Sequence, residues 1–178
     1  SAGGLAALTR ILGVLPANYP VPIVVVQHRS RDERFLLEEV LQAKCKINIR
    51  QAEEKEKIFG GAVYFAPPDY HLLIEQNGTF SLSYDEPVNY SRPSIDVLFE
   101  TAAVVFGSKL AAIILTGANS DGSRGMKKIS GQGGTTIAQD PATAEYPDMP
   151  QSAIKTGYIQ KIMDLDAIGK FLLALMKN

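Results

Sequence analysis

A chain of 178 residues can bury a substantial core but is short for two domains, so its length favours one domain. Hydrophobic residues make up 46% and charged residues 21%, and the formal charge of −1 argues against a nucleic-acid partner. The apolar runs are only as long as strands, and the N-terminus lacks the features of a signal peptide. We therefore expect a cytoplasmic protein without membrane insertion, whose single cysteine, Cys45, is an inert structural thiol.

The first part of the chain alternates helix and strand patterns. Leucine and isoleucine at helical spacing predict a first helix over residues 4–15, closed by Pro16. The β-branched run 23–26 is typical of a strand covered on both faces. Ser30 and Glu33 have the spacing of a capping box, which predicts a second helix with its apolar stripe within residues 35–41.

The middle of the chain has the rhythm of β structure. Ile47 and Ile49 alternate with polar neighbours, and residues 62–66 predict another strand. Two further strands, 71–75 and 79–84, flank the tripeptide Gln-Asn-Gly, which favours a hairpin because Asn-Gly adopts positive φ at little cost. We expect an antiparallel flap in this region.

The last part returns to alternating elements. Ser94 is suited to cap a helix that Gly107 ends, and residues 110–116 predict a buried strand. A helix from Asp121 or Gly122, a strand over 135–138, a helix over 150–156 with Pro150 first, an edge strand over 158–162 and a closing helix follow. This order predicts an α/β fold with three layers: a mostly parallel, doubly wound sheet with an antiparallel hairpin insertion.

Three polar residues stand where catalytic groups are expected. Asp121 follows one predicted strand and His28 another, and ligands of open α/β sheets bind at the carboxyl ends of the strands. Ser1 precedes the first helix. A serine hydroxyl needs an imidazole to accept its proton, and the imidazole needs a carboxylate to fix its tautomer. The three residues form a candidate triad, although a chain terminus, a structural histidine and a helix cap are alternative interpretations of them.

Five short motifs follow one another along the chain. They are Ser1-Ala2-Gly3-Gly4, Val25-Val26-Gln27-His28, Phe65-Ala66-Pro67-Pro68-Asp69-Tyr70-His71, Ser91-Arg92-Pro93-Ser94-Ile95-Asp96 and Ile114-Leu115-Thr116-Gly117-Ala118-Asn119-Ser120-Asp121-Gly122. Together they resemble the chemotaxis receptor methylesterase catalytic domain, the CheB family. The resemblance implies one catalytic domain over residues 1–178, with the strand that leads into Ser1 and the N-terminal receiver domain of many relatives not included.

The resemblance also implies roles for individual residues. Ser1 would be the nucleophile, His28 the general base and acid, and Asp121 the residue that orients His28. Expected oxyanion donors are the backbone N–H groups of the turn formed by Gly117, Ala118 and Asn119. Expected substrate contacts are Ala2, Gly3 and Arg92.

The implied activity is hydrolysis of glutamate methyl esters on the cytoplasmic helices of transmembrane chemoreceptors. Methanol is the product, and deamidation of receptor glutamines is a second activity in the same bacterial chemotaxis pathway. No metal or organic cofactor is expected. A receiver domain or a histidine kinase of the pathway is a further implied partner.

Two alternatives to this activity stay open at this point. In an N-terminal nucleophile hydrolase the α-amine of Ser1 would act as base and His28 would be unnecessary, although the expected sandwich of sheets does not suit the helix–strand alternation. In a catalytically impaired signalling module of a larger chain, the receptor-binding surface would remain without turnover. For His71 we favour a structural hydrogen bond over a catalytic role. For Arg92 a salt bridge at the start of the helix is as plausible as a contact with the substrate.

Overall fold

The computed structural model of the chain describes residues 3–29 and 36–177. Its helices are α1 (Gly4–Leu12), α2 (Leu36–Gln42), α3 (Ile95–Phe106), α4 (Ser123–Gly131), α5 (Asp148–Lys155) and α6 (Leu165–Ala174). Its strands are β1 (Ile23–Val25), β2 (Asn48–Gln51), β3 (Ala62–Phe65), β4 (His71–Ile74), β5 (Phe80–Ser83), β6 (Ala111–Ile114), β7 (Thr135–Gln139) and β8 (Lys161–Met163). Within the described ranges, no helix has both the length and the apolar character needed to cross a membrane.

The strands form two parallel sheets and one hairpin. The first sheet has the order β1-β3-β2 and the second the order β6-β7-β8, and all of their pairs are parallel. Strands β4 and β5 pair antiparallel, with His71 opposite Ser83. The expected α/β fold with mostly parallel strands and an antiparallel hairpin is confirmed.

The two faces of the first sheet pack against different elements because side chains alternate along a strand. Val63 of β3 points into a cluster that includes Leu12 of α1 and Leu172 of α6. The next residue, Tyr64, lies in a second cluster with Leu98 of α3. Burying a large apolar side chain stabilises the fold by about 1.5–3 kcal/mol, so these two layers of helices hold the sheet between them.

Helix α1 is shorter than the sequence predicts. It ends at Leu12 instead of Leu15, because the chain continues in a tighter turn. There the N–H of Leu15 donates to the carbonyl of Leu12, three residues before it, at 3.1 Å. Leu15 nevertheless stays fully buried, which explains its place in the helical pattern. The proposed capping box of the second helix, Ser30 and Glu33, lies outside the described residues.

Other boundaries shift by a few residues. Helix α5 begins at Asp148, so Pro150 is its third residue instead of its first; N–H groups of the first turn need no helical partner, and proline fits there too. Strand β8 covers 161–163 instead of 158–162, although it does lie at the edge of its sheet. Strand β6 keeps only the centre of the predicted run 110–116.

Candidate active site

The structure brings His28 and Asp121 together. His28 comes three residues after β1, and Asp121 lies in the loop that leads from β6 to α4. The Nε2 atom of His28 is 2.8 Å from the Oδ2 atom of Asp121. Two members of the proposed triad are thus in hydrogen-bond contact, while Ser1 lies outside the described residues.

The Asp121 carboxylate is fully buried and sits at the N-terminus of α3. Its Oδ2 accepts a hydrogen bond from the backbone N–H of Ile95 at 2.6 Å, and its Oδ1 accepts one from the N–H of Asp96 at 3.2 Å. Oδ1 also accepts from the Ser94 hydroxyl at 2.8 Å. Ser94 is the N-cap residue of α3, as predicted, but its side chain makes no cap hydrogen bond to the helix. A carboxylate from a different loop occupies the positive end of this helix instead.

These donors keep Asp121 ionised. Burial by itself would raise the pKa of this carboxyl, but hydrogen bonds from His28, the Ile95 N–H, Asn89 and Ser94 outweigh burial and hold the pKa at about 2. At neutral pH the Asp121 carboxylate is an anion, and it accepts a hydrogen bond from the Nε2–H group of His28. Holding that proton on Nε2 leaves the other ring nitrogen, Nδ1, as the proton acceptor.

Asn119 fixes the second side of the imidazole. Its Oδ1 accepts the backbone N–H of Asp121 at 2.9 Å, which turns its Nδ2 toward His28 Nδ1 at 3.3 Å. These contacts assign the amide orientation and the tautomer. Asn119, expected only as a member of the oxyanion turn, thus also touches the candidate base.

A second buried carboxylate, Asp96, lies beside the first. Its Oδ1 accepts the N–H of Gly125 at 2.7 Å and its Oδ2 accepts the Asn89 side-chain amide, also at 2.7 Å. The same Asn89 nitrogen donates to Asp121 Oδ1 at 2.9 Å. Burial and the neighbouring Asp121 charge raise the pKa of Asp96, and the Gly125 and Asn89 donors oppose them.

Sequence reasoning missed Asn89. It lies in the polar connector between β5 and α3, residues 84–94, which has no hydrophobic pattern of its own. Its backbone has φ 52°. Asparagine is enriched at positive φ, which is the only sequence signal for this position, and a weak one. No three His, Cys, Asp or Glu side chains are grouped as metal ligands in residues 3–29 and 36–177.

The turn after β6 supplies fewer oxyanion donors than expected. The N–H of Gly117 donates to the carbonyl of Tyr146 at 2.9 Å, so Gly117 is corrected from a donor to a residue that shapes the turn. The N–H groups of Ala118 and Asn119 make no hydrogen bond within the part of the chain that the structure describes. Ala118 is exposed, so its N–H can reach a bound substrate.

The start of α1 sits between the exits of β1 and β6. A Cβ atom added to Gly3, which has φ 74°, would lie 3.0 Å from Thr116 Oγ1. A Cβ atom on Gly4 would overlap the side-chain amide of Gln27. Two glycines are therefore needed for this helix to begin beside His28. The substrate contact expected of Gly3 stays a prediction, and Ala2 lies outside the described residues.

Comparison with known proteins identifies the family. A family model described as CheB methylesterase matches residues 1–172. The chain belongs to the CheB methylesterase family. A protein of Leptospira interrogans named putative protein-glutamate methylesterase/protein-glutamine glutaminase is 51% identical over 181 residues, which cover 100% of this chain and 92% of that protein.

Thermotoga maritima provides two further members of the CheB family for comparison. Its protein-glutamate methylesterase/protein-glutamine glutaminase is 38% identical over 179 residues, and the match covers 99% of this chain and 52% of that protein. The crystal structure of the T. maritima CheB methylesterase catalytic domain matches with a TM-score of 0.93 at 38% identity, covering 97% of this chain and 93% of that one. The resemblance inferred from the five motifs is confirmed.

Arg92 of this CheB-family chain is held by its own fold. Its Nη2 and Nε lie 2.9 and 3.2 Å from Asp69 Oδ1, and its Nη1 donates to the Asp85 carbonyl at 3.2 Å. The guanidinium also lies 3.9 Å from the centre of the Tyr84 ring. These contacts favour the structural interpretation of Arg92 over the expected substrate contact.

His71 and Arg29 support the site from outside. The Nδ1 of His71 accepts the N–H of Ser94 at 3.2 Å and its Nε2 donates to the Glu86 carbonyl at 2.9 Å, so the ring ties the start of α3 to the connector. Arg29, next to His28, forms a buried ion pair with Glu38 of α2, with Nη2 and Oε1 2.6 Å apart. No sequence pattern pointed to this pair.

Proposed function

We propose that this chain is a serine hydrolase that demethylates glutamate methyl esters of chemoreceptors and releases methanol. Deamidation of receptor glutamines is the second activity of the same site. The names of the Leptospira and Thermotoga relatives, which join the two activities, support the choice of substrate. The observation that carries the chemistry is the 2.8 Å contact between His28 Nε2 and the buried, ionised Asp121 carboxylate.

In the proposed reaction, Ser1 Oγ attacks the ester carbonyl carbon while His28 Nδ1 exchanges its 3.3 Å contact with Asn119 for the Ser1 hydroxyl and takes the hydroxyl proton. The tetrahedral intermediate collapses as His28 returns that proton to the methoxy oxygen, and methanol leaves. Water, activated by the same nitrogen, then hydrolyses the glutamyl ester on Ser1. Asp121 stabilises the imidazolium in both halves. With glutamine as substrate, ammonia leaves in place of methanol, and neither reaction needs a metal or an organic cofactor.

The N–H groups of Ala118 and Asn119 are the proposed donors to the oxyanion. They belong to the turn that carries Asp121, so the oxyanion donors and the triad carboxylate are fixed by one loop. Loss of one such donor in another hydrolase reduces kcat by about 10²–10³-fold. The backbone origin of both donors makes this function insensitive to the side chain at position 118.

The position of α1 supports Ser1 as nucleophile. Gly3 packs beside Thr116 and Gly4 beside Gln27, the residue before His28. Helix α1 therefore begins beside the carboxyl ends of β1 and β6, and this position of its first residues supports Ser1 as the nucleophile. We propose a single catalytic domain over residues 1–178 that acts in the cytoplasm on receptor helices, with a receiver domain or histidine kinase as pathway partner.

The test is methanol release from a methylated chemoreceptor cytoplasmic fragment, with the same fragment demethylated beforehand as control. We expect methanol from the methylated fragment only, and ammonia from a fragment that carries glutamine at the same positions. Binding of the fragment without either product would contradict the proposal and identify the chain as a receptor-binding module.

A further inference from the structure

A tight turn lies in the polar connector between β5 and α3. Val88 and Ser91 exchange two backbone hydrogen bonds, of 3.0 and 2.9 Å, and so close the turn around Asn89 and Tyr90. Both central residues have positive φ, 52° for Asn89 and 62° for Tyr90. This backbone is typical of a type I′ turn, for which Asn-Gly is the favoured sequence. The chain therefore has a tyrosine at a position where the turn favours glycine.

The tyrosine at this position strains the backbone. A bulky residue at positive φ is an outlier, because its Cβ crowds the following carbonyl, and such strain persists only where the surrounding structure enforces it. Tyr90 is 104% exposed, so its ring is not packed against the described part of the chain. Burial within the fold therefore does not explain why a tyrosine is present.

The strained turn is fastened to the candidate active site. The side-chain amide of Asn89 donates to Asp121 Oδ1 at 2.9 Å, and Asp121 Oδ2 lies 2.8 Å from His28 Nε2. Tyr90 is the next residue, so its Cα lies about 3.8 Å from that of Asn89. The His28 side chain is itself 14% exposed. The exposed ring of Tyr90 therefore belongs to the surface that surrounds the imidazole.

The chain is held in place on both sides of Tyr90. Before it, the Asn89 amide donates to Asp96 Oδ2 at 2.7 Å as well as to Asp121. After it, Arg92 Nη2 donates to Asp69 Oδ1 at 2.9 Å. An aromatic ring presented from a fixed backbone binds with a smaller loss of conformational entropy. Tyrosine is also one of the residues that contribute most to binding at protein interfaces.

The substrate of the proposed function is large compared with the imidazole. An α-helix with its side chains is about 10–12 Å wide, whereas the esterified glutamate is a single side chain on its surface. A receptor helix that brings this ester to His28 must therefore also cover the surface around the imidazole. The turn that carries Tyr90 is part of that surface.

We propose that Tyr90 is a specificity-determining residue for esters carried on a helix. Its ring packs against the receptor helix beside the esterified glutamate and so places the ester at His28. The ring acts on the helix and not on the reacting atoms, so a small ester that reaches the same imidazole does not need it. This inference rests on the proposed function and names the residue that recognises its substrate.

The test compares three substitutions at this one position. Tyr90→Ala and Tyr90→Gly both remove the ring, but only glycine also relieves the backbone strain. Tyr90→Phe keeps the ring. Values of kcat and KM are measured with a methylated chemoreceptor cytoplasmic fragment and with a glutamate γ-methyl ester that is blocked at its amino and carboxyl groups.

We expect Tyr90→Ala and Tyr90→Gly to lower kcat/KM for the fragment by about tenfold or more, mainly through KM, and to change it by less than about twofold for the small ester. Tyr90→Phe should keep at least about half of the wild-type value for the fragment. Tyr158→Ala, which removes an exposed tyrosine before β8, is the control and should leave both substrates unaffected.

The glycine variant separates loss of the contact from loss of the fold. Relief of the strain should raise the Tm of Tyr90→Gly by about 2–4 °C. A variant that is more stable and yet hydrolyses the fragment more slowly has lost a contact with the substrate. Unchanged hydrolysis of the fragment by Tyr90→Ala, or equal losses on the fragment and the small ester, would overturn the inference and leave the proposed function standing.

Binding of the fragment, measured by calorimetric titration, tests the inference apart from turnover. If the wild type binds the fragment without releasing methanol, and Tyr90→Ala weakens binding by about tenfold, the proposed function fails and the contact with the helix stands. Equal binding by the wild type and Tyr90→Ala would overturn the inference whether or not methanol is released. Absence of both binding and methanol release in the wild type would overturn the inference and the proposed function together.

Discussion

The Asp121 carboxylate has two roles at the scale of single residues. It accepts the Nε2–H of His28, and it also accepts N–H groups from the first turn of α3. Hydrogen bonds to charged groups contribute about 1.5–3 kcal/mol each. The residue that orients the candidate base is therefore also part of what holds the loops after β6 and the start of α3 together.

The pH dependence of stability follows from this carboxylate. The pKa of Asp121 is about 2 in the folded chain and about 3.9 in an unfolded one, so the unfolded chain binds the proton first as the pH falls. The stabilisation by the ionised group is complete above about pH 4 and is lost toward pH 2, a loss of about 2 kcal/mol. Urea unfolding between pH 6 and pH 2 measures it.

Asp121→Asn removes this titrating group, and we expect the variant to lose about 2 kcal/mol less than the wild type over the same pH range. The control is Asp166→Asn, which removes an exposed carboxylate far from the site. A pH dependence of the Asp121→Asn free energy of unfolding that matches the wild type would contradict this account of the carboxylate.

Asn89 joins the two buried carboxylates through one amide nitrogen. Asn89→Ala leaves Asp96 and Asp121 facing each other without that donor, so we expect a loss of about 2 kcal/mol in the free energy of unfolding at pH 7. We also expect a fall in kcat of about tenfold, because the carboxylate that orients His28 is less firmly placed. Asn48→Ala, at an exposed position of β2, is the control and should change stability by less than about 0.5 kcal/mol. Equal effects of the two substitutions would refute the bridging role.

At the scale of elements, the loop between β6 and α4 depends on one glycine. Gly122 has φ 98°, and an added Cβ would press on Ile114 and come within 2.9 Å of Ile95 Cγ2. Both contacts come from elements that fix Asp121. The close packing explains why the chain can turn from strand to helix within so few residues.

Gly122→Ala should destabilise the chain by about 3 kcal/mol through left-handed strain and overpacking. Gly131→Ala, at the other end of the same helix, is the matched control: nothing lies within 4 Å of its added Cβ, so we expect a gain of about 0.5–1 kcal/mol. Chemical denaturation of both variants measures the difference. A Gly122→Ala chain as stable as the wild type would show that the loop has room the structure does not reveal.

The sequence predicts helices and strands better than it predicts which side chains contact each other. The buried strands and the hairpin were predictable because apolar runs and Asn-Gly are local signals. The placement of His28 and Asp121 at strand exits was predictable for the same reason. The contacts of Asn89 and Asp96 were not, since they join loops far apart in the chain. The position of Ser94 as N-cap was predictable, but its missing cap hydrogen bond was not, because the Asp121 carboxylate from a distant loop accepts the N–H groups of this helix end.

At the scale of the whole molecule, the candidate site lies where two sheets meet. His28 follows β1 of one sheet and Asp121 follows β6 of the other, and the first turn of α3 donates the Ile95 N–H to Asp121. The 2.8 Å contact between His28 and Asp121 depends on the relative position of the sheets.

The most direct test of the central claim is mass spectrometry of the chain quenched during turnover of a methylated receptor fragment. It is made on the chain and on its His28→Ala variant. We predict a glutamyl adduct on Ser1, and a rate of methanol release lower by about 10³-fold or more in His28→Ala. Methanol release that is unchanged in His28→Ala, or an adduct on a residue other than Ser1, would contradict the triad.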